Sequence, residues 1–298
     1  MRPRRLVFAG QAIVDIVLRV PALPERGGDM IATSAEITTG GGFNVMAAAA
    51  RQGLPVLYAG GHGTGPWGDL VRAALGAEGI TILRPADPGR DTGFDVALVE
   101  PDGERTFATH PGAETLNGGW PGIPMAQGDV VYLSGYGLPR ISPLPSAAQV
   151  FVDPGPLAAQ IPADLLDPVL ARCDWLSCNQ REAGLLTGSA EPVAAARLLL
   201  GRTDHASVIV RTGASGCVLA VRGGEMTRVP VTVVRAVDTT GAGDTHAGVF
   251  IAGLADGLSP ARAAARANAA AAFSVTRPGP ATSPTRAALD TWLAERRG

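Results

Sequence analysis

The spacing of apolar positions changes along the chain, and each change predicts an element. Residues 5–9 make a short, nearly unbroken apolar run of the kind buried on both faces as a central strand; residues 12–20 alternate and leave it toward a smaller sheet. Segments 30–37, 94–100 and 104–110 are also short and strand-like, and Pro101-Asp102-Gly103 supplies a hairpin turn between the last two. Together these predict a discontinuous small β lid, approximately 12–20, 30–37 and 94–110, set into one domain spanning 1–298.

Elsewhere, strand-like runs alternate with helical ones. NVMAAAARQG (44–53) predicts a helix stopped by Gly53, then PVLYAGG (55–61) a strand, PWGDLVRAALGAEG (66–79) a helix and ITIL (80–83) a strand. Further strands are predicted over 129–135, 149–155, 175–179, 206–213 and 216–221. Helices are predicted at REAGLLTG, PVAAARLLLG, THAGVFIAGLADG and PARAAARANAAAAFSV, with another near the end of 157–172 and a turn-rich connector at 139–146. Short β-rich runs followed by apolar or amphipathic helices fit a mostly parallel sheet covered on both faces, an α/β domain.

Composition narrows the class. A chain of 298 residues, 46% hydrophobic and 17% charged, has enough material for one large core, and 39 glycines with 24 prolines imply many tight turns. A formal charge of -2 provides no general field for a polyanion, which argues against nucleic acid as a partner. Cys173, Cys178 and Cys217, with four histidines, make neither a disulfide framework nor a zinc cluster and fit a reducing cytosol. Gln11 and Asp15 interrupt the basic and apolar start too soon for a signal peptide, and no apolar run reaches the ~18–20 residues that span a bilayer. The expectation is a cytoplasmic protein that does not enter a membrane.

Candidate chemistry concentrates in AVDTTGAGDTHAGVFIAG, residues 236–253. Gly241, Ala242 and Gly243 leave little side-chain bulk where the chain turns into a helix, so unpaired N–H groups there can meet a phosphoryl group. Asp244 lies at the same helix end, where its carboxylate can orient a hydroxyl and receive its proton. The helix field favours its ionised form, which makes it a weak base at rest. The same spacing also suits an ordinary capping or first-turn Asp. Asp15 can accept from two neighbouring hydroxyls or serve as an edge-strand charge. Asn44, after the glycines 40–42, can contact the same ligand or simply cap a helix. Arg105, His110 and Tyr136 are further cleft candidates, each also explicable as surface or packing residues.

DTTGAGD at 238–244 resembles the C-terminal signature of the ribokinase-like, or pfkB, family of carbohydrate kinases, and GGGFNVMAAAARQG at 40–53 the N-terminal one. NQRE at 179–182 and TGASG at 212–216 extend the resemblance over essentially the whole chain. It implies a ribokinase-like three-layer sandwich with a central mostly parallel sheet and a small β-sheet lid. The implied activity is ATP-dependent phosphorylation of a hydroxyl on a small sugar or sugar derivative, with a nucleoside kinase on the same fold and a noncatalytic sugar-binding regulatory protein as alternatives.

By the same resemblance, Gly241, Ala242 and Gly243 form the anion hole and Asp244 is the catalytic base. Asp15, Gly40, Gly41, Gly42 and Asn44 fall on acceptor-binding positions. Asn179, Thr212, Gly213, Gly216 and Asn268 fall on nucleotide-binding ones. Glu182 would organise Mg²⁺ through water, and Asp238 would contribute to a monovalent-cation site for K⁺. Gly41 stands where ribokinase itself has lysine, so ribose is not specified. Arg211 occupies a position often held by a small polar residue; phosphate contact and a surface salt bridge are both open to it. Relatives often pair through the lid, which implies a homodimer.

Overall fold

The computed structural model describes residues 2–115, 123, 125–138 and 144–296. Its main sheet has nine strands among these residues, in the order β13-β12-β11-β10-β9-β8-β1-β4-β5. They are β1 (Arg5–Phe8), β4 (Val56–Tyr58), β5 (Thr81–Ile82), β8 (Asp129–Ser134), β9 (Gln149–Asp153), β10 (Trp175–Asn179), β11 (Ser207–Arg211), β12 (Cys217–Ala220) and β13 (Met226–Val229). All neighbours from β11 to β5 are parallel; β12 and β13 add an antiparallel edge.

Both faces of this sheet are covered, which explains strands that read as continuous apolar runs rather than alternating ones. Leu6, Phe8, Tyr132, Phe151 and Ile209 point into one core, shared with helices α1 (Phe43–Arg51), α6 (Ala242–Ala255), α7 (Pro260–Ser274) and α8 (Arg286–Glu295), and with Val71 and Leu75 of α2 (Pro66–Ala77). Val7, Val131, Val150, Leu176 and Val210 point the other way, toward α3 (Ala163–Arg172), α4 (Gln180–Thr187) and α5 (Pro192–Gly201). The molecule is the three-layer α/β sandwich implied by the sequence.

A second, four-stranded sheet has the order β3-β2-β6-β7: β3 (Ser34–Gly41), β2 (Ala12–Arg19), β6 (Phe94–Val99) and β7 (Arg105–His110). The expected strand at 30–37 runs instead over 34–41, because Gly40 and Gly41 continue the antiparallel ladder by pairing with Ile13 and Ala12. Two elements have no counterpart in the sequence reading. β13 is an edge strand with only Val229 buried, and α8 buries only Leu289 and Trp292, so neither carries a strong periodic signal. Residues 139–143 of the expected connector lie outside the described residues.

The carboxyl ends of β8, β9, β10 and β11 end at Ser134, Asp153, Asn179 and Arg211, all on one edge of the sheet. Open α/β sheets present ligands to that edge. Helix α6 starts there, and the small sheet covers the same side through Arg105, whose guanidinium bonds Asp238 just before α6.

Candidate active site

The turn before α6 is built by one carboxylate. Asp238 Oδ1 accepts from the Thr240 N–H at 2.9 Å and hydroxyl at 2.6 Å, Oδ2 accepts from the Gly279 N–H at 3.1 Å, and Arg105 and Arg19 approach from the small sheet. Burial works against its charge, but these donors outweigh it and hold the carboxyl below the usual range. Gly241 then caps α6 at φ 70°, a left-handed conformation that glycine adopts without the Cβ clash other residues incur. The following N–H groups, at Gly243 and Asp244, lie in the first helical turn, where no ladder partner exists. Gly241–Gly243 therefore form the N–H-lined helix mouth expected from the sequence.

Asp244 sits in that first turn. Burial pushes its carboxyl up to about 7, the nearby Asp153 adds to the shift, and Arg211 and a hydrogen bond from Asn44 oppose it. Desolvation and a neighbouring carboxylate thus work against the helix field that favours its ionised form.

Under the helix mouth lies a charge cluster that the sequence did not reveal. Arg211 donates to Asp153 Oδ2 at 2.7 Å and to the Ser177 hydroxyl at 2.5 Å, and stands 3.6 Å from Glu182. It is 13% exposed, so the surface salt bridge considered for it does not exist. A Cβ on Gly243 would lie 3.3 Å from this guanidinium, which puts the cation directly behind the anion-binding turn. Burial disfavours the charge, yet Asp153 and Glu182 more than compensate and raise its pKa. The chain contains no lysine, so arginine supplies every fixed side-chain cation.

Glu182 closes a capping box with Asn179: the Asn179 side chain accepts from the Glu182 N–H, and the Glu182 carboxylate accepts from the Asn179 N–H at 2.7 Å. Burial, then Asp153, raises the Glu182 pKa. Asp153 and Glu182 are hard oxygen donors beside the helix mouth, a set that fits Mg²⁺ held by one or two carboxylates, water and nucleotide phosphates. No group of three or more His, Cys, Asp or Glu side chains that could hold a metal ion by itself occurs among the described residues.

Beyond the mouth opens a cavity of about 360 Å³, lined by Asn179, Arg211, Gly213, Gly216, Gly243, His246 and Asn268 on its polar side and by Val231, Val234, Ala271 and Val275 on its apolar side. Thr212 does not line it; its N–H bonds the Gly216 carbonyl and closes the turn that does. Asn268 donates to the carbonyls of Val229 at 2.9 Å and Pro230 at 3.1 Å, which anchors the wall formed by 231–234. Burial takes the His246 imidazole down to about 3, so it lines this space as a neutral ring.

On the other side of Asp244 lie the residues of the small sheet. A Cβ on Gly40 would fall 1.9 Å from the Asp15 carboxylate, and one on Gly42 would fall 1.9 Å from the Phe8 ring, so both glycines are needed for chain and side chain to share this space. Gly41 adopts φ 60° between them. Asn44, 5% exposed, hydrogen-bonds Asp244 and packs 3.4 Å from where a Cβ on Gly241 would be. Burial pushes Asp15 up to about 7, with Asp95 and then Asp244 adding to the shift. Tyr136, 45% exposed, is raised by burial and then by the same Asp95 and Asp244. Asp95, absent from the sequence-based candidates, therefore belongs to this end of the cleft. His110 packs against Phe94 with the ring planes tilted by 44°.

Known proteins share this fold. The family model described as pfkB family carbohydrate kinase matches residues 3–287. The sugar kinase YegV of Escherichia coli K12 is 33% identical over 95% of this chain and 92% of its own length. Ribokinase from Thermotoga maritima superposes with a TM-score of 0.82 at 26% identity, covering 97% of this chain and 99% of the other. Arabidopsis thaliana ribokinase, in complex with ribose and ATP, gives 0.79 at 25% identity over 98% and 99%. With the family model matching nearly end to end, the chain belongs to the pfkB family of carbohydrate kinases.

Proposed function

We propose that this ATP-dependent kinase transfers the terminal phosphoryl group of ATP to a hydroxyl of a small sugar or sugar derivative bound between Asp15, Asn44 and Asp244. The observation that carries this reading is the juxtaposition at α6. A carboxylate poised near pH 7 shares its helix turn with the N–H groups of Gly241–Gly243 and is hydrogen-bonded to an acceptor-side residue, Asn44.

Phosphoryl transfer asks chiefly for positioning and charge stabilisation. The apolar wall of the cavity suits a purine face, and the turn at 212–216 approaches its polar end. The phosphates then lie toward Gly243, with the Arg211 guanidinium behind it. When bound near Glu182 and Asp153, Mg²⁺ would offset phosphate charge. Asp244 accepts the proton of the attacking hydroxyl, a role that suits a carboxyl held near 7 because general bases work best close to the working pH. The small sheet acts as a lid, and its closure excludes water from the transfer.

A nucleoside acceptor is the second reading, favoured by half-exposed Tyr136, against which a base can stack. A homodimer through the open edges β3 and β7 belongs to the same proposal. Dependence on K⁺ at Asp238 is tested by rates in matched sodium, potassium and choline salts; equal rates remove it.

The deciding experiment is an ADP-release screen over pentoses, hexoses, sugar acids and nucleosides, with product mass measured. Asp244→Asn should lower turnover on the best acceptor by about 10²–10⁴-fold with ATP binding retained, as for loss of a general base. Unchanged turnover overturns the assignment.

A further inference from the structure

Asp15 and Asp95 are register partners on the adjacent parallel strands β2 and β6, so their side chains leave the same face of the small sheet from backbones about 4.8 Å apart. Like charges placed side by side repel, and such pairs either acquire a cation or hold a proton. Among the described residues no arginine or histidine pairs with either carboxylate. Arg19 and Arg105 share the sheet, but they stand four residues further along the paired strands, about 13 Å away, and both are turned to Asp238.

A second observation points the same way. Asp95 Oδ1 is buried without a hydrogen-bond partner, and so is Oδ1 of Asn44, a side chain only 5% exposed whose amide already reaches Asp244. Buried polar atoms are nearly always satisfied, and both orphans here are acceptors. What completes them is a molecule that brings O–H or N–H donors, whereas an anionic group would face two acidic side chains that no arginine or histidine neutralises among the described residues.

We propose that Asp95 is a second acceptor-binding residue, which with Asp15 selects neutral polyhydroxy acceptors and rejects those carrying a carboxylate or phosphate at that end. The proposal rests on the kinase reading above and narrows its substrate class. Neighbouring hydroxyls donate to the two carboxylates, and the acceptor hydroxyl that reacts points past Asn44 to Asp244. A sugar acid or sugar phosphate meets no compensating cation there among the described residues.

The test compares D-ribose and D-fructose with D-gluconate and D-ribose 5-phosphate for the wild-type protein, Asp95→Asn and Asp95→Ser. The wild type should favour the neutral probes in kcat/KM. Both variants should raise the KM for them by about tenfold, the cost of a hydrogen bond to a charged group, and narrow the discrimination against anionic probes. KM for ATP and the thermal midpoint should stay within twofold and a few degrees, which a merely structural role would not predict. An unchanged neutral KM with unchanged discrimination overturns the proposal, as does wild-type preference for gluconate or ribose 5-phosphate. Absence of ADP release with these probes and across the wider acceptor screen, nucleosides included, would instead overturn the kinase reading, and this proposal with it.

Discussion

The two ends of the cleft treat buried charge in opposite ways. At the nucleotide end the charges are balanced within the protein: Arg211 answers Asp153 and Glu182, Glu182 and Asn179 cap each other, and Asn268 is spent on backbone carbonyls. At the acceptor end, Asp95 and Asn44 each bury a side-chain oxygen with no donor, and Asp15 lies beside Asp95. The first is internally paired in the unliganded protein. The second is held in a costly state that a hydroxyl-rich ligand relieves, so binding there gains specificity at the expense of stability in the unliganded protein.

Arg211→Met breaks the nucleotide end. It leaves two largely buried carboxylates without their cation, and removing one partner of such a cluster costs about 3–5 kcal/mol. Chemical unfolding at pH 7 should show that loss, and it should shrink as the pH falls and the orphaned carboxyls take up protons. Equal stability of variant and wild type at pH 7 would mean that the cluster is not an internally balanced unit.

Gly40→Ala attacks the acceptor end with a single methyl. The added Cβ would overlap the Asp15 carboxylate and displace it. Loss of a charged hydrogen bond to the acceptor should raise acceptor KM by about tenfold, with KM for ATP unchanged. A parallel rise in both constants would show that the two ends are not separable.

A third effect concerns stability alone. Asp15 rises from an ordinary 3.8 to about 7. Its raised pKa means the folded state prefers the protonated form, so its contribution is fully present below about pH 4 and is lost as the pH rises toward 7. Asp15→Asn, which cannot ionise, should match the wild type near pH 4 and gain on it in thermal midpoint as pH rises to 8. A constant difference across that range would contradict the sign.

What could be read from the sequence follows from what is local. Gly241, Gly243 and Asp244 are legible because backbone shape and a helix start are written in adjacent residues, and the central strands because burial on both faces leaves unbroken apolar runs. Asn179 and Glu182 are legible as a pair, three residues apart. Arg211 and Asp153 are 58 residues apart, and their pairing exists only because β9, β10 and β11 are neighbours in the sheet. Asp95 was hidden for the same reason: its partner Asp15 lies on a strand eighty residues earlier, and single-strand alternation cannot say which strands adjoin. The helix end that favours ionised Asp244 is visible in sequence, and the desolvation that opposes it is not.

Asp238 has one further consequence. Its carboxylate is gripped by Arg105 and approached by Arg19 from the four-stranded sheet, while the same oxygens hold Thr240 and Gly279 on the helical side. A swing of that sheet away from the sandwich must either sever the tether or tug the segment leading into Gly241. Hinge position and the shape of the phosphate-binding turn are thereby mechanically linked, so an open molecule and a shut one would not present the same backbone to ATP.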